Sequence, residues 1–270
     1  MPAIHLARLK LQSAALSQFF EQPAAFLKEL KNLLEFYANR THRPGQTGEP
    51  QPLLPSYNVP GPILNQIYLD LKPLVIEKPD ESLELCEALW QEPYLECRML
   101  SARLLGQISP AMTSEIFAHL QVWLPDTREE RLIDTLLDFG LARLRTEYPD
   151  LVLDQIKTWL EDDRAVFRRF GLRAMLPILR ETSFDNLPFF YRLLTPYFRQ
   201  TPNDLRPDVL RVLTALTRRS PQEMAFMLRQ NLGVSGHTDT AWLIRQVIKE
   251  FPQEQQSSLR AALRENKRSA

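Results

Sequence analysis

The segments IFAHLQVWLPDTREERLIDTLLDFGLARL (116–144) and VLDQIKTWLEDDRAVFRRFGLRAMLPIL (152–179) decide the fold. Aligned, they place Trp123 opposite Trp159, 36 residues apart, and each reads as an apolar helix, a short polar turn and a second helix. FYRLLTPYFRQTPNDLRPDVLRVLTALTRR (190–219) and MAFMLRQNLGVSGHTDTAWLIRQVIKEF (224–251) continue the series. Two helices recurring at a period of roughly 30–45 residues mark an α-solenoid of HEAT or armadillo type. One such unit cannot bury its apolar face alone, so stacked neighbours build a continuous core and a curved surface. The expected fold is therefore all-α: a solenoid of HEAT-like helical repeats with a concave face, and Trp123 and Trp159 in its core. Strand-like alternation of apolar and polar residues is absent.

Outward from these repeats the helical pattern persists. Residues 3–40 form two helical stretches broken at Gln22-Pro23, and the second places Phe26, Leu27, Leu30, Leu33, Leu34 and Tyr37 at helical spacing. The segment THRPGQTGEPQPLLPSYNVPGP (41–62) is dense in Pro and Gly and reads as a loop. Helical pattern resumes over 63–75, and Ser82–Trp90 with Leu95–Ile108 reads as a helix pair. Pro110, Pro149, Pro221 and Pro252 mark the starts of following helices, where a missing N–H costs nothing. The expected organisation is a single repeat domain over 1–270: N-terminal helices 1–40, the loop 41–62, helical repeats 63–264 and a tail 265–270.

The composition excludes several functions. With 8 Gly against 21 Pro, the chain predicts short helices with sharp stops rather than hairpins or Gly-rich phosphate loops. No segment reaches the roughly 18 apolar residues of a membrane span. The N-terminus lacks the charged, apolar and small-residue sections of a signal peptide. Two cysteines, Cys86 and Cys97, are too few for a disulfide framework or a zinc site, which suits a reducing cytoplasm. The four histidines His5, His42, His119 and His237 are scattered without ligand spacing. None of the nucleotide-binding, zinc-hydrolase or serine-hydrolase motifs occurs. Neither a metal nor a cofactor is expected, and the chain is expected to be a monomer that does not engage a membrane.

Net charge is zero, yet its distribution is uneven. Residues 163–270 hold 18 basic and 10 acidic residues, whereas 1–162 hold 15 and 23. Asymmetry of this kind points to a polyanion-binding face in the second half. The acidic excess of the first half is concentrated at Glu77, Asp80, Glu81, Glu84, Glu87, Glu92 and Glu96, a face expected to repel phosphate. WLEDDRAVFRRFGLRAML (159–176) carries Arg164, Arg168, Arg169 and Arg173. Helical spacing lets Phe167, Phe170, Ala174 and Leu176 share one side, with Arg169 and Arg173 one turn apart on another. A helix that buries one face and presents guanidinium groups on the other is suited to gripping anions; the alternative is a solvated helix face.

Several segments, in order, resemble the AlkD-like DNA alkylation repair family. SYNVPGPILNQIYLDL (56–71) is similar to that family's first helix start, with Asn58 and Asn65 where the family tends to have Gly and Arg. LWQEPYLECRMLSARLLGQI (89–108) matches a Leu-Trp followed by Glu-x-Arg-x-x-Ala at Trp90, Glu96, Arg98 and Ala102. AVFRRFGLRA (165–174) resembles the family's aromatic-rich helix, and its DNA-gripping arginine corresponds to Arg169. AWLIRQVIKEFPQEQQSSL (241–259) resembles a Trp-x-x-Arg helix followed by one begun by Pro, at Trp242, Arg245 and Pro252. Residues 183–220 look like an additional repeat unit.

The resemblance implies a protein that holds duplex DNA in a basic concave cleft and removes N3- or N7-alkylated purines. It implies a phosphate contact from Arg169 and a groove or sugar contact from Trp242, and together with the basic second half it leads us to expect Arg173, Arg168, Arg211 and Arg245 to line the same cleft. It also implies a catalytic carboxylate beside aromatic side chains. The family's catalytic helix has a Trp-Trp-Asp-x-x-Asp type element, whereas this chain has REERLIDTLLDFG (128–140). Asp134 is the matching carboxylate and Asp138 the alternate, while both tryptophans are missing. The competing reading makes Asp134 and Asp138 exposed acids that pair with Arg131 or Arg145. A non-catalytic repeat scaffold that binds a protein or a DNA structure is the alternative function.

Overall fold

A computed structural model describes residues 6–39 and 52–269. The chain is all-helical, with no strand among the described residues. In order the helices are α1 (Leu6–Leu16), α2 (Pro23–Tyr37), α3 (Gly61–Glu77), α4 (Pro79–Gln91), α5 (Leu95–Leu105), α6 (Thr113–Asp126), α7 (Glu130–Asp138) and α8 (Ala142–Glu147). They continue as α9 (Pro149–Glu161), α10 (Ala165–Arg180), α11 (Leu187–Arg199), α12 (Arg206–Arg219), α13 (Pro221–Leu232), α14 (Thr240–Val247) and α15 (Gln253–Ser269). Contacts group into two compact units, residues 1–152 and 153–270, whose division falls within α9.

The break at Gln22-Pro23 lies as expected, and Phe26, Leu30, Leu33, Leu34 and Tyr37 form the buried stripe of α2. Prolines occupy the first turns of α2, α3, α4, α11, α12 and α13. Four others depart from the expectation that Pro stops helices: Pro73, Pro125, Pro177 and Pro196 lie inside α3, α6, α10 and α11. Each is close to a C-terminal end, where the proline removes one ladder bond near the helix end. At α10, continued burial of Ile178 and Leu179 offsets that loss.

In the first unit α1, α3, α5 and α7 pack in succession, α2 packs on α4, and α4 joins the two rows through α5. Every second helix is thus a neighbour, the pattern expected of stacked helix pairs. Trp90 of α4 and Trp123 of α6 are buried and nearly parallel, with ring centroids 4.5 Å apart and planes 7° apart. Gly106 makes possible the crossing of the α5 terminus on the α7 terminus. A Cβ built there would lie 1.6 Å from the Phe139 carbonyl oxygen.

Residues 41–51 of the expected loop lie outside the described residues, and two buried carboxylates tie down residues 53–57 of its remainder. Glu96, in the first turn of α5, accepts hydrogen bonds from Ser56 Oγ at 2.7 Å and the Tyr57 amide at 3.1 Å. Glu129, the N-cap of α7, accepts from the Leu53 amide at 2.7 Å and from its own helix at Arg131 N. Carboxylates at helix N-termini meet unpaired N–H groups and the positive end of the dipole, which favours their charge there. Tyr57 stacks on Tyr94 at 4.3 Å, and burial, followed by the Tyr94 hydroxyl, raises its own hydroxyl far above the ordinary tyrosine range. Glu96 therefore leaves the solvated acidic face to which its sequence position assigned it. Its burial is satisfied by two donors rather than by water. Glu92 is likewise engaged, by Lys31 at 2.8 Å.

In the second unit α10, α12 and α14 pack in succession, as do α11, α13 and α15. Gly171 lets α10 approach α9 closely, since a Cβ there would meet Leu160 Cγ at 2.7 Å. Phe167 and Phe170 pack edge to face at 5.8 Å in the core beside this contact. Trp123 and Trp159 are both core residues, as the repeat alignment implies. Among the described residues no helix is long and apolar enough to cross a membrane.

The Gly106 contact generates a direct test. Because the clash is with backbone on both sides, Gly106→Ala forces the ends of α5 and α7 apart. It is expected to destabilise the protein by about 3 kcal/mol, the upper part of the overpacking range. A lowered denaturant midpoint with an unchanged slope would show it, whereas an unchanged midpoint would refute the crossing.

Candidate nucleic-acid interface

The α10–α12–α14 row carries most of the arginines singled out by sequence. Their geometry is organised by a carboxylate the sequence reading did not select. Asp208 lies in the first turn of α12 and its side chain is 5% exposed. Its Oδ2 is 3.2 Å from Arg169 Nε, and its Oδ1 is 3.8 Å from Arg173 Nε and 3.7 Å from Arg211 Nη1. Arg169 also donates to the Asp204 carbonyl at 3.4 Å. Three guanidinium groups thus converge on one carboxylate, leaving two positive charges in excess within that group of four.

These three arginines do not share one environment. Arg169 and Arg211 have side chains 37% and 52% exposed, whereas that of Arg173 is 2% exposed. The expectation that Arg173 stands on a solvent face with Arg169 is therefore corrected. One turn beyond Arg169, the helix already faces α12, and the buried charge is matched by Asp208 instead of water. Leu176 is only half-buried, so the apolar side is centred on Phe167, Phe170 and Ala174.

Farther along the row a similar arrangement uses Asp239, the residue preceding α14. Its Oδ2 accepts from the Thr201 amide at 2.7 Å and is 4.0 Å from Arg206 Nη2. The Arg206 guanidinium lies 4.6 Å from the centre of the half-buried Trp242 ring, within cation–π range. Arg245 is exposed on α14. Sequence reasoning missed Asp208, Arg206 and Asp239. An acidic residue in a first turn is ordinary dipole complementation, and nothing local to RPDVLR marks its carboxylate as buried.

Arg168 and Arg164 serve the neighbouring turn. Arg168 reaches the Asp163 carbonyl at 3.5 Å. Asp162 accepts from the Arg164 amide at 2.8 Å and from its Nε and Nη2 at 2.9 and 2.8 Å. The Arg164 guanidinium also covers the Phe167 ring at 4.1 Å. These side-chain and backbone hydrogen bonds hold the Asp162 carboxyl down to about 2.

In the first unit, α7 carries Asp134 and Asp138 one turn apart. Asp134 is exposed; Asp138 is 33% exposed, lies 3.7 Å from Arg145 Nη2, and its carbonyl accepts from Arg145 Nη1 at 2.9 Å. Leu132 and Ile133, immediately before Asp134, are buried aliphatic residues. A different aromatic group adjoins this helix end: Arg103 of α5 stands 4.8 Å from the Phe139 ring and 6.0 Å from the Tyr68 ring. Burial pushes the Tyr68 hydroxyl up and the Arg103 guanidinium down from their ordinary values. No group of His, Cys, Asp and Glu able to hold a metal is found among the described residues.

The Asp162 turn has a definite pH signature. Its pKa is depressed in the folded state, so its contribution is complete above the unfolded carboxyl value near 3.9. That contribution is lost as pH falls through the folded value of about 2. An NMR titration of the Asp162 carboxyl should find a midpoint near 2, moving toward the ordinary value in Arg164→Ala. A midpoint near 4 in the unsubstituted protein would contradict the turn geometry.

Comparison with known proteins places residues 31–196, more than half of the chain, in a match to the family described as "DNA alkylation repair enzyme". No curated protein and no solved structure matches the chain.

Proposed function

The chain belongs to the DNA alkylation repair enzyme family, and on that premise we propose that it binds duplex DNA through backbone phosphates and hydrolyses the N-glycosidic bond of N3- or N7-alkylated purines. The observation that supports the binding reading most is the gathering of Arg169, Arg173 and Arg211 around Asp208. Exposed Arg169 and Arg211 are the phosphate contacts in this reading, with Arg168 and Arg245 flanking them and Trp242 as the sugar or groove contact. Arg173 takes the part of a buried support. The alternating helix contacts in each unit are read as HEAT-like repeats of a solenoid, here taken as one continuous domain. The additional repeat is taken to be residues 183–220. The working form is taken to be a monomer without metal or cofactor, in a reducing cytoplasm, a setting that two buried free cysteines suit.

In the proposed reaction Asp134 is the carboxylate, with Asp138 as alternate. A cationic alkylpurine is a good leaving group, because the electron pair of the breaking C1′–N bond neutralises its charge. The sugar develops oxocarbenium character that a nearby carboxylate stabilises. Water attacks C1′, and its proton passes to the carboxylate or to solvent. Arg103 with Phe139 and Tyr68 supplies the aromatic neighbourhood in this reading, in place of the missing tryptophans.

The second reading is a non-catalytic protein that binds DNA structure or a protein partner. It is favoured by Leu132 and Ile133, which lie in the core where the family pattern has tryptophans, and by the Asp138–Arg145 pair.

Two measurements separate these readings. Duplex affinity should fall steeply with salt, since each neutralised phosphate contributes about 0.9 to the logarithmic slope. Arg169→Ala should lower both affinity and slope; salt-indifferent binding unaltered by this change would exclude the DNA reading. Wild type should release alkylated purines from methylated duplex, with Asp134→Asn reducing release by about 100-fold or more. Release lost only in Asp138→Asn would transfer the role to Asp138, and none from wild type would leave the non-catalytic reading.

A further inference from the structure

We propose that Asp208 is a positioning residue that sets Arg169 and Arg211 as a two-armed fork for a single phosphodiester. The inference rests on the DNA-binding reading and extends it to a residue that no motif or family pattern selected. Asp208 is buried, so its carboxylate has little water to satisfy it and its position is set by protein contacts. From α10, Arg169 approaches Oδ2 through Nε at 3.2 Å; from α12 itself, Arg211 approaches Oδ1 through one terminal nitrogen at 3.7 Å.

The direction of these contacts matters. A guanidinium has five N–H donors in a planar fork, and a carboxylate contact through Nε leaves terminal donors available on the far side. Arg169 uses Nη2 toward the Asp204 carbonyl and retains Nη1. Arg211 contacts Asp208 through Nη1 and retains Nη2 and Nε. Arg169 is therefore held at the base of its guanidinium and Arg211 at one terminal nitrogen, while donors remain on both for an external anion. Holding both arms also lowers the side-chain entropy lost on binding, which long free arginines would otherwise lose.

Arg173 completes the device from below. Its buried guanidinium, 3.8 Å from Oδ1, offsets the single charge of Asp208. The group of four thereby keeps a net charge of plus two to face the phosphate. Without Arg173, Asp208 would cancel part of the field that attracts the ligand; without Asp208, Arg173 would be a buried charge missing this carboxylate. The two residues form a neutral pair beneath a doubly positive fork.

This charge balance provides the test. Asp208→Asn alone removes a carboxylate beside the buried Arg173 and can unfold the unit, so the informative variant is Asp208→Asn with Arg173→Met. It removes one negative and one positive charge and keeps an apolar side chain of similar length in the buried position. Binding of a short unmodified duplex is measured at several salt concentrations with the full chain, alongside thermal unfolding. If Asp208 positions the fork, the double variant folds and binds about tenfold more weakly, as expected for loss of aligned charge-assisted hydrogen bonds. Combining it with Arg169→Ala should then cost less than Arg169→Ala costs in the wild type. If net charge alone governs binding, the folded double variant keeps wild-type affinity and slope, which overturns the proposal. If the double variant does not fold, Arg211→Ala and Arg169→Ala are combined instead: additive losses overturn the fork, and a joint loss no greater than either alone supports it. Absence of salt-dependent binding by wild type would remove the DNA reading itself, a result distinct from these.

Discussion

A two-helix unit has apolar residues on more sides than it can cover by itself. Everything regular in this protein follows from that shortage. In the first unit α3 is covered by α1 and α5, and α5 by α3 and α7; in the second, α12 is covered by α10 and α14. Each helix of a row is therefore packed by its predecessor and successor but one, and its remaining side is free to vary. Trp123 is buried by this packing in the first unit, and Phe167, Phe170 and Trp159 in the second. The close approaches at Gly106 and Gly171 are two places where packing between helices left no room for a side chain.

Polar side chains are then disposed by what the packing leaves exposed. Glu96 and Glu129 show one outcome: buried at helix starts, they accept amide and hydroxyl donors from the loop and hold it against α5 and α7. Asp208 shows another, a buried carboxylate whose partners are guanidinium groups from two adjacent helices of one row. Both use an acid near a helix N-terminus, where the dipole favours it. What differs is the partner supplied from elsewhere in the chain.

That difference also explains what was legible in the sequence. The helices, their proline starts and the core tryptophans are encoded locally, through spacing and backbone chemistry, and they were readable. Arg169 on an exposed side of α10 was readable too. The burial of Arg173 was not, because the helical spacing of 159–176 fixes which residues share a side without stating how much of that side α12 covers. Asp208 was invisible for the same reason: its partners lie 39 and 35 residues back in the chain as well as one turn ahead. On α7 the family resemblance singled out Asp134 and Asp138 as candidate carboxylates, whereas Arg103, which lies over the Phe139 and Tyr68 rings, comes from α5 and shares no motif with them.

The stacked indoles of Trp90 and Trp123 have a consequence of a different kind. Parallel rings this close couple their electronic transitions, so the pair is a built-in chromophore whose near-ultraviolet dichroism depends on α4 and α6 remaining in register. Of the four tryptophans, these two belong to the first unit, whereas Trp159 and Trp242 belong to the second. Trp242 lies under a guanidinium and Trp159 in an apolar core, so neither forms such a pair with the other's surroundings. The first unit thus carries an optical signature of its own packing, without any introduced label.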